Sequence, residues 1–320
     1  MIKVKINKTQ ITATVLAAAT IALLIIMFLS YYFAQRLEHS RFVQIAPGAL
    51  RPIIAQLKMN GVDLNELDLW FIRALGMPKR GLIDIGEENA SKLDFYLGLV
   101  GGKTAYDEIV LIPGETTVVA LDLIAQKLNL NADLMRKIYD ENAPLEEGVL
   151  IPDTYRIAKG AEEKEVVESL LKASMRLHKE RAASHFGKYD EKSWFRIVTI
   201  ASIVQKEAAN NAEMPLVASV IYNRLKKNMR LQMDGTLNYG YFSHQKVTPQ
   251  RIKSDSSDFN TYKKRGLPPF PVAMASLEAI NAALNPAKSD YLYFVRGADG
   301  THNFSSNYRS HIRNIRNPDR

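Results

Sequence analysis

From Ile11 to Phe33 the chain runs for 23 residues without a charged side chain (ITATVLAAATIALLIIMFLSYYF). As a helix this run measures about 34 Å, enough to cross the hydrocarbon core of a bilayer. A cleaved signal would be shorter and followed by a small-x-small site, whereas this run closes on Tyr31-Tyr32-Phe33, aromatics of the kind found at a membrane interface. The expectation is one transmembrane helix over residues 11–33. Lys3, Lys5 and Lys8 precede it with no acidic residue among them, and the far flank (Arg36, Glu38, His39, Arg41) is mixed. Residues 1–10 should therefore stay in the cytoplasm and the remaining part of the chain face outward.

That outward part has an ordinary globular composition: 47% of the 320 residues are hydrophobic and 24% charged, enough for two domains beside an anchor. The net charge of +8 falls to +5 beyond Phe33, and no dense Lys/Arg stripe with interleaved aromatics is present, which argues against nucleic acid as a partner. Cysteine is absent, so there is no disulfide framework and no lipid-modified Cys, in keeping with a bacterial envelope protein.

The exported part reads as α+β. Residues 34–105 contain two short helices between Gly48 and Gly76, broken at Asn60-Gly61. Residues 106–160 have a βααβ rhythm: the extended run EIVLIP, a turn at Gly114, a helix that Thr116 or Thr117 can cap, a second helix opened by Asn131, and the extended run GVLIPDTYRI. This order resembles a LysM-like module, a small fold that grips N-acetylglucosamine polymers; a purely structural linker domain is the alternative. Residues 161–320 form a C-terminal domain. Its first helix, over 161–186, has Val166, Val167, Leu170, Leu171, Met175 and Leu177 on its apolar side. Two further helices follow, then a loop-rich stretch through Gly240, a polar segment at 253–258, a helix capped by Ser276, the strand YLYFVRG, and a basic tail with His302, His311, Arg313 and Arg316.

Glu207 closes the otherwise nearly apolar run WFRIVTIASIVQKE. Ile200, Ile203 and Glu207 fall at i, i+3 and i+7, so a helix puts the carboxylate on the stripe of the buried isoleucines. Apolar surroundings disfavour the charged form and raise the pKa, which is the profile of a general acid. The alternative is a helix-end Glu turned out to solvent. The six histidines (39, 178, 185, 244, 302, 311) have no H-x-x-x-H or H-E-x-x-H spacing, and there is no G-x-S-x-G elbow and no phosphate-cradling glycine loop, so zinc, serine hydrolase and nucleotide chemistry are poorly supported. Carboxylate chemistry remains, with no cofactor or metal. Downstream, Tyr222, Asn223, Arg224, Gln232, Asp234, Thr236, Asn238, Tyr239 and Asn260-Thr261-Tyr262 supply amides, hydroxyls, a carboxylate and aromatic rings, the groups of a sugar site. Each also has a structural reading: Asn223 and Arg224 as helix-end partners, Asp234-Gly235 as a turn, Asn260 as a loop bond.

ASIVQKE, VASVIYNRLKKNMRLQMDGTLNYG, FNTYKKRGLPPFPVA, SLEAINAALNPAKSDYLYFVRG and HNFSSNY follow one another between Ala201 and Tyr308. In this order they resemble the MltG (YceG-like) family of endolytic murein transglycosylases, and GVLIPDTYRI with the LysM-like stretch extends the likeness upstream. The resemblance implies Glu207 as the single catalytic acid/base and nascent peptidoglycan, cut at the MurNAc-β-1,4-GlcNAc bond, as substrate. It implies Gln232, Asp234, Thr236, Asn260 and Tyr262 as cleft residues, beside which Asn223 is a further candidate. It also implies a single-pass protein of the bacterial inner membrane, an extracytoplasmic catalytic domain and peptidoglycan synthases as partners. The chain departs from the family pattern at Gln205 (for Glu), Gly235 (for a usual Pro), Phe270 and Met274-Ala275. A lytic transglycosylase needs one carboxylate because the substrate supplies the nucleophile, whereas most glycosidases use two. Two other readings stay open: a catalytically silent glycan-binding scaffold, and a lysozyme-type hydrolase with Asp234 or Glu213 as second carboxylate.

Overall fold

The computed structural model describes residues 8–46 and 48–317, with side chains from Ile11 onward. Lys3, Lys5 and the Lys8 side chain, on which the expected orientation rests, lie outside the described residues. The chain is a mixed α+β protein that divides into two compact units, and among the described residues one helix is long and apolar enough to span a bilayer.

The first unit comprises residues up to Asp107 with Ala158–Gly160. Helix α1 (Lys8–Ala34) contains the apolar run and leaves its flanks exposed until Tyr32. Strand β1 (Phe42–Ile45), helices α2 (Leu50–Met59) and α3 (Glu66–Leu75), strand β2 (Gly81–Asp84), helix α4 (Lys92–Gly101) and strand β3 (Lys103–Thr104) follow. The strands form an antiparallel sheet in the order β1-β2-β3, with Val43 opposite Ile83. Strands this short carry too little alternation to be read from sequence. Ile45, Leu57, Ile72, Ile83, Phe95 and Leu99 fill the core. Asn65 and Asp68 close a capping box on α3, and Asp68 also accepts from Tyr32, Tyr96 and Lys92. Burial pushes the Asp68 carboxyl up, but these bonds outweigh it and hold it below its ordinary value.

The second unit comprises Glu108–Ile157 and Ala161–Arg320. Strand β4 (Tyr106–Val110), helices α5 (Thr117–Leu128) and α6 (Ala132–Asn142) and strand β5 (Thr154–Ala158) reproduce the expected βααβ order, and β4 pairs with β5. Asn131 caps α6 by accepting from the Leu134 amide. Thr116 stands at the start of α5 but does not cap it; its hydroxyl donates to the Gly240 carbonyl instead. Helices α7 (Glu163–Phe186), α8 (Glu191–Glu207) and α9 (Met214–Lys226) come next. The inner face of α7 continues through Ser174, His178 and Ala182, leaving Met175 and Leu177 only half-buried. The polar His178 is tolerated there because it accepts from the Trp194 indole and bonds the Val149 carbonyl.

Two 3-10 turns (Asp234–Leu237, Gly240–Phe242) and α10 (Pro249–Ser254) occupy the loop-rich stretch. Helix α11 (Leu277–Leu284) is capped by Ser276, which accepts from the Ala279 amide. The expected basic tail is ordered: β6 (Tyr293–Arg296) and β7 (His302–Ser305) make an antiparallel hairpin, and α12 (Tyr308–Arg316) follows. His302 is not a tail residue but a half-buried partner of Glu213. The core gathers around α8, whose Trp194, Val198, Ile200, Ala201, Ile203 and Val204 are fully buried.

Candidate active site

Helix α8 stops at Glu207 because Ala208 leaves helical geometry (φ −70°, ψ 136°). The apolar face ends there, and the carboxyl turns inward, where its Oε1 accepts the Gly235 amide at 2.7 Å. Gly235 lies on the 3-10 turn and has no room for a side chain: a Cβ would stand 2.5 Å from the Lys206 Cβ and 3.0 Å from Glu207 Oε1. Burial is the largest influence on Glu207 and lifts its pKa to about 7. The Asp234 charge adds to the rise, while the Gly235 bond and the charges of Arg224 and Lys206 oppose it. A carboxyl so placed is available in both protonation states near neutral pH.

Two other expected residues gather beside it. The Tyr262 hydroxyl donates to Asp234 Oδ1 at 2.7 Å, and burial followed by that bond raises the Tyr262 pKa, keeping the phenol protonated. Gln232 is exposed with its backbone in the left-handed region (φ 49°). Among the described residues the other non-glycine positions at positive φ are asparagines, which tolerate that region; it is costlier for glutamine, and strain of this sort is concentrated at ligand sites.

The remaining candidates have their polar groups occupied by the protein. Thr236 is fully buried, its hydroxyl bonded to the Met233 carbonyl and the Thr261 hydroxyl. Asn260, also fully buried, donates to the carbonyls of Ile252 and Asp255 and accepts from the Tyr262 amide. Asn223 donates to the carbonyls of Ser289 and Tyr291, pinning α9 to the entrance of β6. Arg224 bonds the carbonyls of Leu292 and Leu231, so that its charge is held near Glu207.

Three residues that the sequence did not single out complete the setting. Lys206 donates to the carbonyls of Gly114 and Ser243, both at 3.0 Å. Burial lowers its pKa, against the charges of Glu115, Glu147 and Glu207. Glu115 pairs with His244 and accepts the Thr116 amide. Glu147 accepts the Thr117 amide and hydroxyl and the Gly148 amide, and burial pushes its pKa up to about 7. Glu147 also lines a cavity of about 720 Å³, with Thr117, Tyr139, Tyr239, Phe259 and Phe270 on its walls. Glu115 and Glu147 sit on turns outside any periodic pattern, so only their proximity in the fold marks them. Glu213, the other candidate second carboxylate, accepts the His302 amide at 2.8 Å and faces His302 Nδ1 at 2.7 Å. Burial raises its carboxyl, but the His302 bonds outweigh that and hold it below the ordinary range. Among the described residues no cluster of His, Asp and Glu has the makings of a metal site.

The model of the YceG-like family matches residues 43–317. The chain belongs to this family. Among curated relatives, the endolytic murein transglycosylase of Bacillus subtilis (strain 168) is 34% identical over 167 residues, which is 52% of this chain and 46% of that protein. The endolytic murein transglycosylase of Streptococcus pneumoniae (serotype 2, strain D39) is 33% identical over 177 residues, 53% of this chain and 31% of that protein. These alignments span less than half the length of the curated relatives. A solved structure of a YceG-like protein from Listeria monocytogenes superimposes with a TM-score of 0.58 at 27% identity, covering 85% of this chain and 98% of that one.

Proposed function

We propose that this YceG-like chain is a membrane-anchored endolytic lytic transglycosylase, cleaving MurNAc-β-1,4-GlcNAc bonds in nascent peptidoglycan strands and thereby limiting their elongation. The observation that carries the reading is the Glu207 carboxyl, poised at about 7 and held by the Gly235 amide beside Asp234 and Tyr262. Protonated Glu207 donates to the departing GlcNAc oxygen as the C1–O bond breaks. Its carboxylate then takes the proton of the MurNAc C6 hydroxyl as that oxygen bonds to C1, closing the 1,6-anhydro ring. One carboxyl thus serves as acid and then as base, and no water, metal or organic cofactor enters the balance. The names of the curated relatives support the same activity.

In this reading Gln232, Asp234 and Tyr262 face the strand, whereas Thr236, Asn260 and Asn223 hold the loops that present them. Glu213 is unsuited to serve as a second carboxylate because His302 occupies both of its oxygens. The βααβ segment at 106–160 is assigned as a LysM-like glycan-gripping module leading into a catalytic domain at 161–320. Residues 11–33 are assigned as an uncleaved single-pass anchor of the bacterial inner membrane, with residues 1–10 cytoplasmic and the catalytic domain outside, near the peptidoglycan synthases. Retention of the anchor is supported by Tyr32, a core residue of the first unit, and by Phe33, packed on Phe71 with ring centroids 4.7 Å apart; processing after the apolar run would remove both.

Purified peptidoglycan digested by the full chain and by Glu207→Gln tests the proposal. Soluble fragments from the wild type and none from a variant that still sediments with the polymer are expected. Equal cleavage by both removes Glu207 from the chemistry, and binding without cleavage by either favours the scaffold reading.

A further inference from the structure

The first unit has apolar side chains that its own core does not use, on the two helices that pack against the end of α1. Leu67 and Trp70 on α3, and Leu93 and Leu97 on α4, are exposed, Trp70 to 66%. Leu67, Trp70 and the half-buried Phe71 fall at i, i+3 and i+4, and Leu93 and Leu97 at i and i+4, so each helix shows a short apolar stripe.

The height of these stripes is set by the apolar helix itself. Tyr32 is only 7% exposed, and its hydroxyl bonds Asp68 at 2.5 Å and Asn65 at 3.0 Å, both at the start of α3. The Lys92 ammonium at the start of α4 lies 4.0 Å from the centre of the Tyr32 ring. Phe33 stacks edge-on against Phe71 of α3 and Tyr96 of α4. No free linker therefore separates the span from α3 and α4. A cavity of about 660 Å³ extends this contact along α1, lined by the apolar Ile26, Leu29, Phe33 and Leu93 and by the charged Arg36, Glu87 and Asp94. At 1.5 Å per residue, Leu29 lies about 6 Å deeper along the helix than Phe33, a distance close to the thickness of one polar headgroup layer. The start of α4 thus stands beside residues that belong to the hydrocarbon boundary.

We infer that the α3/α4 face of the first unit is a lipid-contact surface, resting on the outer leaflet with Leu67, Trp70, Leu93 and Leu97 at the acyl–headgroup boundary. The inference rests on the proposed anchor, which fixes where the bilayer lies. A bilayer surface accounts for what this face shows: a tryptophan and leucines exposed on the two helices that hold the end of the span, with Asp68 and Lys92 paired in the core and the exposed Glu66 and Asp94 at the helix starts, where headgroups would meet them. The surface holds the unit flat against the membrane instead of leaving it to swing on its helix.

The chain's two tryptophans provide the test, because Trp194 is fully buried in the second unit and serves as an internal reference. The full chain is reconstituted in phosphatidylethanolamine/phosphatidylglycerol vesicles, and the Trp70 signal is isolated by subtracting the spectrum of Trp70→Phe. Lipids brominated near the headgroup end of the acyl chain are expected to quench Trp70 several-fold more than Trp194, with little quenching by aqueous acrylamide. Leu67→Glu/Leu97→Glu, at exposed positions, should leave flotation intact while the bromolipid quenching of Trp70 falls and acrylamide gains access. If the wild type floats with the vesicles yet Trp70 is quenched by acrylamide and not by bromolipid, the lipid surface is wrong and the anchor stands. If the protein does not float, the anchor reading fails and the surface with it.

Discussion

The Gly235 amide donates to Glu207 Oε1 at 2.7 Å, joining the end of α8 to the turn that carries Asp234. That backbone donor stabilises the carboxylate and restrains the rise that burial imposes.

Glu207→Gln should lower the cleavage rate by at least about 10²-fold, the range for a lost general acid. The same substitution should stabilise the fold at alkaline pH. Free Glu ionises near ~4.3, whereas the folded carboxyl is lifted to about 7. Between these values the folded state holds a proton that the unfolded state has released, so wild-type stability declines as pH rises through the window. The glutamine variant lacks that decline and should gain about 1–3 kcal/mol above neutrality relative to acid. Urea unfolding on both sides of the window measures it; an unchanged difference between the two proteins would contradict a buried neutral acid.

Lys206→Met should move the alkaline limb of the kcat/KM profile upward. The ammonium favours the Glu207 carboxylate, and without it the carboxyl keeps its proton to higher pH. The Gly114 and Ser243 carbonyls also lose their shared donor, at a cost of about 1–3 kcal/mol. A limb that stays in place shows that Lys206 is electrostatically silent.

Gly235→Ala keeps the amide but puts a methyl group against the Lys206 Cβ and Glu207 Oε1. The turn or the helix end must shift, with destabilisation of about 1–3 kcal/mol and up to a ~10²-fold fall in rate from the misplaced acid. Thermal melting and steady-state kinetics give the two numbers. Wild-type rates would mean that the turn does not position Glu207.

Glu213→Gln separates structure from chemistry. Its carboxyl is held below the ordinary range, so its stabilisation is present above ~4.3 and is lost as pH falls through the lower folded value. Breaking the pair with His302 should cost about 3 kcal/mol while the activity of the folded fraction persists. Activity lost from a fully folded variant would return Glu213 to the candidates for a second carboxylate.

The apolar span, the α8 stripe, the βααβ order and the caps at Asn131 and Ser276 were legible in the sequence because each is a local pattern. The setting of Glu207 was not. Lys206 reaches Gly114, 92 residues away, Thr116 spends its hydroxyl on Gly240, 124 residues away, and Glu115 meets His244 at a separation of 129. Thr236 and Asn260 look like cleft groups in a polar stretch, yet both are fully buried, a distinction that composition does not carry. His302 and Glu213, 89 residues apart, reveal themselves only when β7 returns to the start of α9.

The most direct test of the account is digestion of peptidoglycan in water enriched in heavy oxygen, with mass analysis of the new MurNAc ends. If Glu207 directs the C6 hydroxyl onto C1, the ends are one water lighter than hydrolytic ends and take up no label. Ends that carry the label would show that water is the nucleophile and that a second carboxylate has to be found.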